Sequence, residues 1–158
     1  ADVRQEDRAV VGAAVIASHI SDDDRATFLR TTMVSKESSR AAADLVALDP
    51  YELGSVYARK TTASRLQRRG FTFARYREFA EVTGNDAALR VADAAVTEFI
   101  SDGPEPALVQ GRDVLSVVPR KPGPWLGELV SESLDRQYRG EFADKDAAVA
   151  WAVSQASA

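Results

Sequence analysis

The chain has 158 residues, enough for one domain or for a domain with a small appendix, and 45% of them are hydrophobic, which permits an apolar core. It contains no cysteine and one histidine, His19, which excludes disulfides, cysteine-bound zinc and a histidine-based metal site. The formal net charge of −4 has the wrong sign for a generic nucleic-acid-binding domain, so a basic surface would have to be local.

The apolar segment near the N-terminus fits a buried helix better than a membrane span or a signal peptide. The apolar segment from Ala9 to Ile20 is only about a dozen residues long, whereas a membrane helix needs about 20. Its mixed acidic and basic flank and the lack of a cleavage-type end do not fit a signal peptide. We therefore expect a cytoplasmic protein with no membrane partner. The first residue is Ala1 and the single methionine is Met33, which fits a processed product or a piece of a longer protein.

Helical signals begin at the N-terminus. Apolar spacing predicts a first helix over Val3–His19, and Ser21 is a candidate cap for a second. Three carboxylates at 22–24 would lie in the first turn of that second helix, where they complement the positive helix end. Consecutive residues point to different helix faces, which argues against a metal site there. Ser35 is the predicted cap of a third helix.

The next two helices are predicted from capping signals. Asp49–Glu52 resembles a capping box with a first-turn proline and predicts a helix that continues through Tyr57. Thr61 or Thr62 is predicted to open a short helix that ends at Gly70.

Two further helices and a break complete the first part of the chain. Thr72 is expected to cap a helix that ends at Gly84, and Asn85 to begin another through Phe99. The segment 101–106 is rich in Gly and Pro and forms the clearest break. It divides a predicted helical body, residues 1–100, from a tail, residues 101–158.

The tail is predicted to start with a stiff turn. Pro122 and Pro124 restrict the backbone on either side of Gly123, and Pro124 suits the first turn of a helix. Gly140 is the expected stop of this helix, and Asp144 the cap of a last one. We therefore predict an all-α chain, an irregular array of about eight short helices, with the KPGPW turn docking the tail on the body.

The tail motif resembles a known family. The pattern GRDVL…KPGPWLGELV…RQYRGEF…KDAAVAW, from Gly111 to Trp151, resembles the C-terminal tail of bacterial-type tRNA nucleotidyltransferases, the CCA-adding enzyme and poly(A) polymerase family. Residues 56–99, with Arg-Arg-Gly between two helices, resemble more loosely the region after the catalytic half. The first 50 residues can be assigned only by position. The resemblance implies a helical body and tail that hold the arm and elbow of tRNA.

The catalytic motifs of that family are not matched. Nucleotidyl transfer needs carboxylates that hold two metal ions, which the family supplies as Gly-Ser followed by Asp-x-Asp on a strand. Gly54-Ser55 is followed by basic residues, and Asp22-x-Asp24 lies at a helix start. The family's Glu-Asp-x-x-Arg element is not matched at Glu6-Asp7 either. We therefore expect no catalysis and no cofactor in this chain. Mg²⁺ with CTP or ATP would serve only an attached nucleotidyltransferase head, which the resemblance names as a partner beside tRNA.

A basic interval is the predicted RNA-binding surface. No acidic residue lies between Glu52 and Glu78, and on a helix from Thr62 the side chains of Arg65, Arg68 and Arg69 would share one face. Cations that contact phosphates supply most of the affinity for RNA. The predicted RNA-binding residues are Arg59, Lys60, Arg65, Arg68, Arg69 and Arg75, with Arg112, Arg120 and Lys121 in the tail.

Other interpretations remain open. Any single arginine is equally compatible with a solvated face paired to the many carboxylates, whereas the cluster as a whole favours RNA. The helices would also suit a protein-interaction module that binds a partner in an apolar groove and no nucleic acid. A small metal-free hydrolase has the least support, because the sequence offers no candidate nucleophile with a base and His19 stands alone on a mainly apolar helix. The aromatic residues recur at core spacing and are predicted to pack rather than to stack on bases; they are Phe71, Phe73, Tyr76, Phe79 and Trp125.

Overall fold

The computed structural model describes residues 3–33, 35–99 and 103–158. These residues form α-helices and short 3-10 helices without any strand, which confirms the predicted all-α class. Their contacts divide the chain into two compact units, Ala1–Pro104 and Glu105–Ala158. The predicted boundary between residues 100 and 101 lies outside the described residues, and the predicted docking of the tail on the body stays a prediction.

The first unit contains six described α-helices and two 3-10 helices. The α-helices are α1 (Val3–Ser18), α2 (Asp22–Thr32), α3 (Lys36–Ala47), α4 (Val56–Leu66), α5 (Phe73–Thr83) and α6 (Asp86–Glu98), and the 3-10 helices are Pro50–Leu53 and Gln67–Arg69. In the described part of the chain, none of the helices combines the length and the apolar character that crossing a membrane requires.

Small side chains bring the helices of the first unit together. Helix α1 packs against α2, α3 and α5, and α5 packs against α6. Ala14, Ala42, Ala88 and Ala92 are completely buried along these contacts. Because alanine adds little bulk and is the best helix former, it allows close packing without disfavouring the helix.

An aromatic cluster fills the rest of this core. The rings of Phe71 and Phe73 meet edge to face with centroids 5.2 Å apart, and Tyr76 stacks on Phe79 at 6.3 Å. All four side chains are buried. This confirms that they pack in the core, and it removes them as stacking platforms for bases.

The second unit has its own core. Its helices are α7 (Gly111–Leu115), α8 (Pro124–Tyr138) and α9 (Lys145–Ser157). Pro124 occupies the first turn of α8, as predicted, and Trp125 lies partly buried against the core of this unit. The fully or almost fully buried members of that core are Val109, Val114, Val118, Leu129, Ala148 and Ala152.

Most of the predicted helix caps are present. The side chains of Ser35, Thr72, Asn85 and Asp144 each accept a hydrogen bond from the backbone N–H three residues later, at 2.9–3.1 Å. Ser21 differs, because its hydroxyl donates to the Asp24 carboxylate at 2.9 Å instead of accepting from the backbone.

The predicted helices between residues 50 and 62 are wrong in their bounds. Asp49 accepts from the Tyr51 N–H at 2.9 Å but starts only a four-residue 3-10 helix. Ser55 then caps α4 by accepting from the N–H of Ala58 at 3.0 Å. Thr61 and Thr62 therefore lie inside α4 and do not open a helix.

Substitution by alanine should change the stability in opposite directions at Gly127, within α8, and at Gly140, just after it. Gly140 follows the helix with a φ of +75°, a conformation that costs an alanine about 1–2 kcal/mol. Gly127 lies within the helix and a Cβ there would meet no atom within 4 Å, so Gly127→Ala should stabilise by about 0.5–1 kcal/mol. Urea unfolding followed by tryptophan fluorescence tests this, since both tryptophans, Trp125 and Trp151, lie in the second unit. Shifts of equal sign in the two variants would contradict the assignment.

Candidate functional site

The rotation of α4 separates its basic residues into buried and exposed ones. Arg59, Thr62, Ala63 and Leu66 are buried, at the three- and four-residue spacing of one helix face. Arg65 lies away from this face and is exposed. Lys60 is partly buried.

Arg59 is an internal structural residue. Its side chain is only 8% exposed, its Nε donates to Glu98 Oε2 at 2.9 Å, and its Nη2 donates to the other oxygen of the same carboxylate. Its Nη1 donates to the Leu53 carbonyl at 2.9 Å. We therefore withdraw Arg59 from the predicted RNA contacts, because its guanidinium is enclosed and already paired.

Arg75 is also engaged inside the first unit. Its Nε donates to Asp7 Oδ1 at 2.6 Å, and its Nη1 donates to the Gly70 carbonyl. The side chain is 19% exposed. Arg75 is therefore withdrawn from the phosphate-binding set for the same reason.

Arg65, Arg68 and Arg69 remain at the surface, although not as predicted. Helix α4 ends at Leu66, and the next residues form a 3-10 helix, so the three arginines do not share one α-helical face. Arg65 and Arg68 are exposed and form no ion pair with any described residue. The Arg69 side chain is 46% exposed, and its Nη2 lies 2.8 Å from Asp44 Oδ1. We call these three residues the arginine surface.

Asp44 lies beneath the arginine surface. Its side chain is 9% exposed, and its Oδ2 has no hydrogen-bond partner among the described residues. Burial raises the pKa of the Asp44 carboxyl, and the positive charges of Arg69 and Arg65 oppose this shift without outweighing it. The short contact with Arg69 alone would suggest a lowered pKa. Burial has the larger effect on this pKa, because Oδ2 is shielded from solvent and accepts no hydrogen bond from a described residue.

The predicted tail residues lie in the second unit. Arg112, Arg120 and Lys121 are all exposed. The Arg120 guanidinium lies over the Trp125 ring at 4.5 Å, and the indole N–H donates to the Lys121 carbonyl at 3.0 Å. The turn before α8 therefore presents Arg120 and Lys121 together.

Sequence reasoning missed a second basic group in the first unit. Arg30, Lys36 and Arg40 line one cavity where α2 ends and α3 begins. The signal in the sequence was weak, since each of the three is close to acidic residues along the chain, including the carboxylates at 22–24 and Glu37.

Within the described residues, no group of three or more His, Asp or Glu side chains could hold a metal ion, and His19 is exposed. No known family, no protein of characterised function and no solved structure matches this chain.

The raised pKa of Asp44 predicts a pH-dependent stability difference. The pKa of the Asp44 carboxyl is near the ordinary value of 3.8 in the unfolded chain and higher in the folded one. In the pH range between these two pKa values, the folded state therefore binds the proton more tightly than the unfolded state. Raising the pH through this range therefore destabilises wild type relative to Asp44→Asn. The difference in free energy of unfolding should change in favour of the variant as the pH rises above 3.8. Asp23→Asn, an exposed control, should show no such change, and a change in the opposite direction for Asp44→Asn would mean that Arg69 outweighs burial.

Removing the buried arginine should be costly. Arg59→Met leaves the Glu98 carboxylate partly buried without its partner, which should cost about 3 kcal/mol. The matched control, Arg68→Met, removes an exposed cation with no described partner and should stay within about 0.5 kcal/mol. Urea unfolding followed by far-UV circular dichroism measures both. Equal costs would show that Arg59 is not the internal residue described.

Proposed function

We propose that this chain is a non-catalytic RNA-binding domain that holds tRNA by its shape and its phosphates. The observation that carries the proposal is the arginine surface, where Arg65 and Arg68 are exposed and lack a carboxylate partner among the described residues. The identity of the RNA rests on the resemblance of the tail and middle segments to the C-terminal part of tRNA nucleotidyltransferases.

The charge arrangement supports phosphate contacts. The carboxylate that Arg69 contacts, Asp44, is buried beneath the surface and does not stand between the arginines and solvent. A ligand that brings its own negative charges would therefore find unneutralised cations there.

The burial of the four aromatic rings that follow the arginine surface along the chain supports recognition by shape. Phe71, Phe73, Tyr76 and Phe79 are all buried and cannot stack on bases. An A-form RNA helix offers its phosphates and hydroxyls along the minor groove, which exposed arginines can contact without reading sequence. We expect the tail residues Arg112, Arg120 and Lys121 to add contacts of the same kind.

The proposal also implies a protein partner and a cellular compartment. A catalytic nucleotidyltransferase head, in the same or another chain, would supply the chemistry together with Mg²⁺ and CTP or ATP. The chain alone should incorporate no nucleotide. We place this activity in the cytoplasm, and whether it serves CCA addition or poly(A) synthesis depends on the head.

A second candidate function is protein interaction. An open cavity of about 450 Å³ between α7 and α9 is lined by Val117, Val149 and Val153, with Asp113, Lys145 and Asp146 also in its lining. Val117 is 61% exposed. Apolar side chains flanked by charged ones suit an amphipathic partner helix. This candidate predicts that the arginine surface binds no RNA.

Charge reversal at the arginine surface should weaken tRNA binding. Arg65→Glu and Arg68→Glu should each lower the affinity about tenfold at low salt, the value of one lost charge-assisted contact. Each lost phosphate contact should also flatten the plot of log affinity against log salt by about one unit. Fluorescence anisotropy of labelled tRNA with the whole chain, over a series of salt concentrations, measures both effects.

Arg90→Glu is the matched control. Arg90 is exposed on α6 and forms no ion pair with a described residue. Its replacement by glutamate changes the net charge of the chain by the same amount as Arg65→Glu, but outside the arginine surface. It should leave the salt slope unchanged. The RNA proposal fails if wild type does not bind tRNA at low salt, or if the three variants bind equally.

A further inference from the structure

The cavity between α2 and α3 is a second charged feature of the first unit. Its volume is about 450 Å³, within the range of small-molecule sites. It contains none of the residues of the arginine surface. Its lining residues are Arg30, Met33, Ser35, Lys36, Ser39 and Arg40.

Three of the six lining residues are cations and none is acidic. Arg30, Lys36 and Arg40 form no ion pair with any residue that the structure describes. The acidic first turn of α2 lies at the other end of that helix, about 12 Å from Arg30 along the axis. Glu37 lines a different cavity, together with Glu6 and Arg75. No carboxylate lines this cavity, and its positive charge is not neutralised by an ion pair with any described residue.

The position of Lys36 is unfavourable for helix stability. Lys36 is the first residue of α3, where the helix dipole is positive and carboxylates are preferred. Lys36 lines the same cavity as Arg30 and Arg40, so three residues of like charge surround one volume. Such a placement disfavours the free protein electrostatically, and a bound anion would relieve it.

Hydrogen-bond donors complete the cavity. The Ser39 hydroxyl is partly buried and forms no hydrogen bond with a described residue. The backbone N–H of Lys36, the first residue of α3, has no acceptor within the helix. The Ser35 hydroxyl is not available, because it accepts from the Ser38 N–H at 3.0 Å and contacts the Ser38 hydroxyl at 2.9 Å.

We propose that this cavity binds a phosphate monoester, either at the end of an RNA strand or in a free mononucleotide. Three cations that converge on one volume match a group with two negative charges better than the single charge of an internal phosphodiester. Met33 adds an apolar wall beside the charged groups and suits the ribose or base that carries the phosphate. The proposal does not rest on RNA binding at the arginine surface.

Paired ligands test the monoester directly. AMP and adenosine are titrated into the whole chain by calorimetry, and a 3′-labelled oligoribonucleotide is compared with and without a 5′-phosphate by anisotropy. We expect the phosphate to improve the affinity at least tenfold in one pair or in both. Preference only in the oligonucleotide pair assigns the strand end, and preference with AMP assigns the mononucleotide. Equal affinities within both pairs would overturn the proposal.

Substitutions locate the site. Arg30→Gln, Lys36→Gln and Arg40→Gln should each reduce the preference for the phosphorylated ligand at least fivefold, and Ser39→Ala about twofold. Arg90→Gln, an exposed control on α6, should leave it unchanged, and circular dichroism checks that every variant is folded. A preference that survives all three charge removals would overturn the assignment to this cavity. Arg65→Glu should retain the preference for the phosphate, so a failure of the arginine surface can be told apart from a failure here.

Discussion

The burial of Arg59 against Glu98 fixes the rotation of α4, and that rotation decides which basic side chains reach solvent. A guanidinium that is almost completely enclosed needs a carboxylate partner and further acceptors, here Glu98 and the Leu53 carbonyl. Helix α4 cannot turn about its axis without separating these groups. Arg65, six residues later, is consequently held on the outer side.

The end of α4 redirects the two arginines that follow. The helix tightens into a 3-10 turn after Leu66, and Gly70 reverses the chain with a φ of +81°. Because of this change, Arg68 and Arg69 do not continue the α-helical face that carries Arg65, and Arg69 contacts Asp44 on α3. The same acid-free stretch of sequence therefore yields both internal ion pairs and an exposed basic surface. The difference between the two comes from the packing of α4 on α6 and of the 3-10 helix after α4 on α3.

Local features of this fold were predictable from the sequence, and the roles of its arginines were not. The caps at Ser35, Thr72, Asn85 and Asp144 depend on one polar side chain and the three residues after it. The bounds of α4 were predicted wrongly, because Ser55 and Thr61 are both good caps and only packing selects the first. The carboxylates that pair with Arg59 and Arg75 lie 39 and 68 residues away along the chain, a separation that no local pattern reveals. The basic cavity was missed for the related reason that Arg30 and Lys36 are separated in sequence by the end of one helix and the start of the next.

An acidic chain can still bind anions because charge acts locally in salt solution. At physiological ionic strength the Debye length is about 8 Å, so carboxylates at the far end of a helix contribute little at a cluster of cations. The net charge of −4 slows the approach of a polyanion at low salt, whereas the contacts themselves depend on the side chains within a few ångströms. The two basic sites of the first unit then differ in geometry. Exposed arginines such as Arg65 and Arg68 suit successive phosphodiesters along a strand, while the concave arrangement around Lys36 suits a single doubly charged group. Under the two proposals, a nucleic acid that combines a helical backbone with a phosphorylated end would satisfy both arrangements.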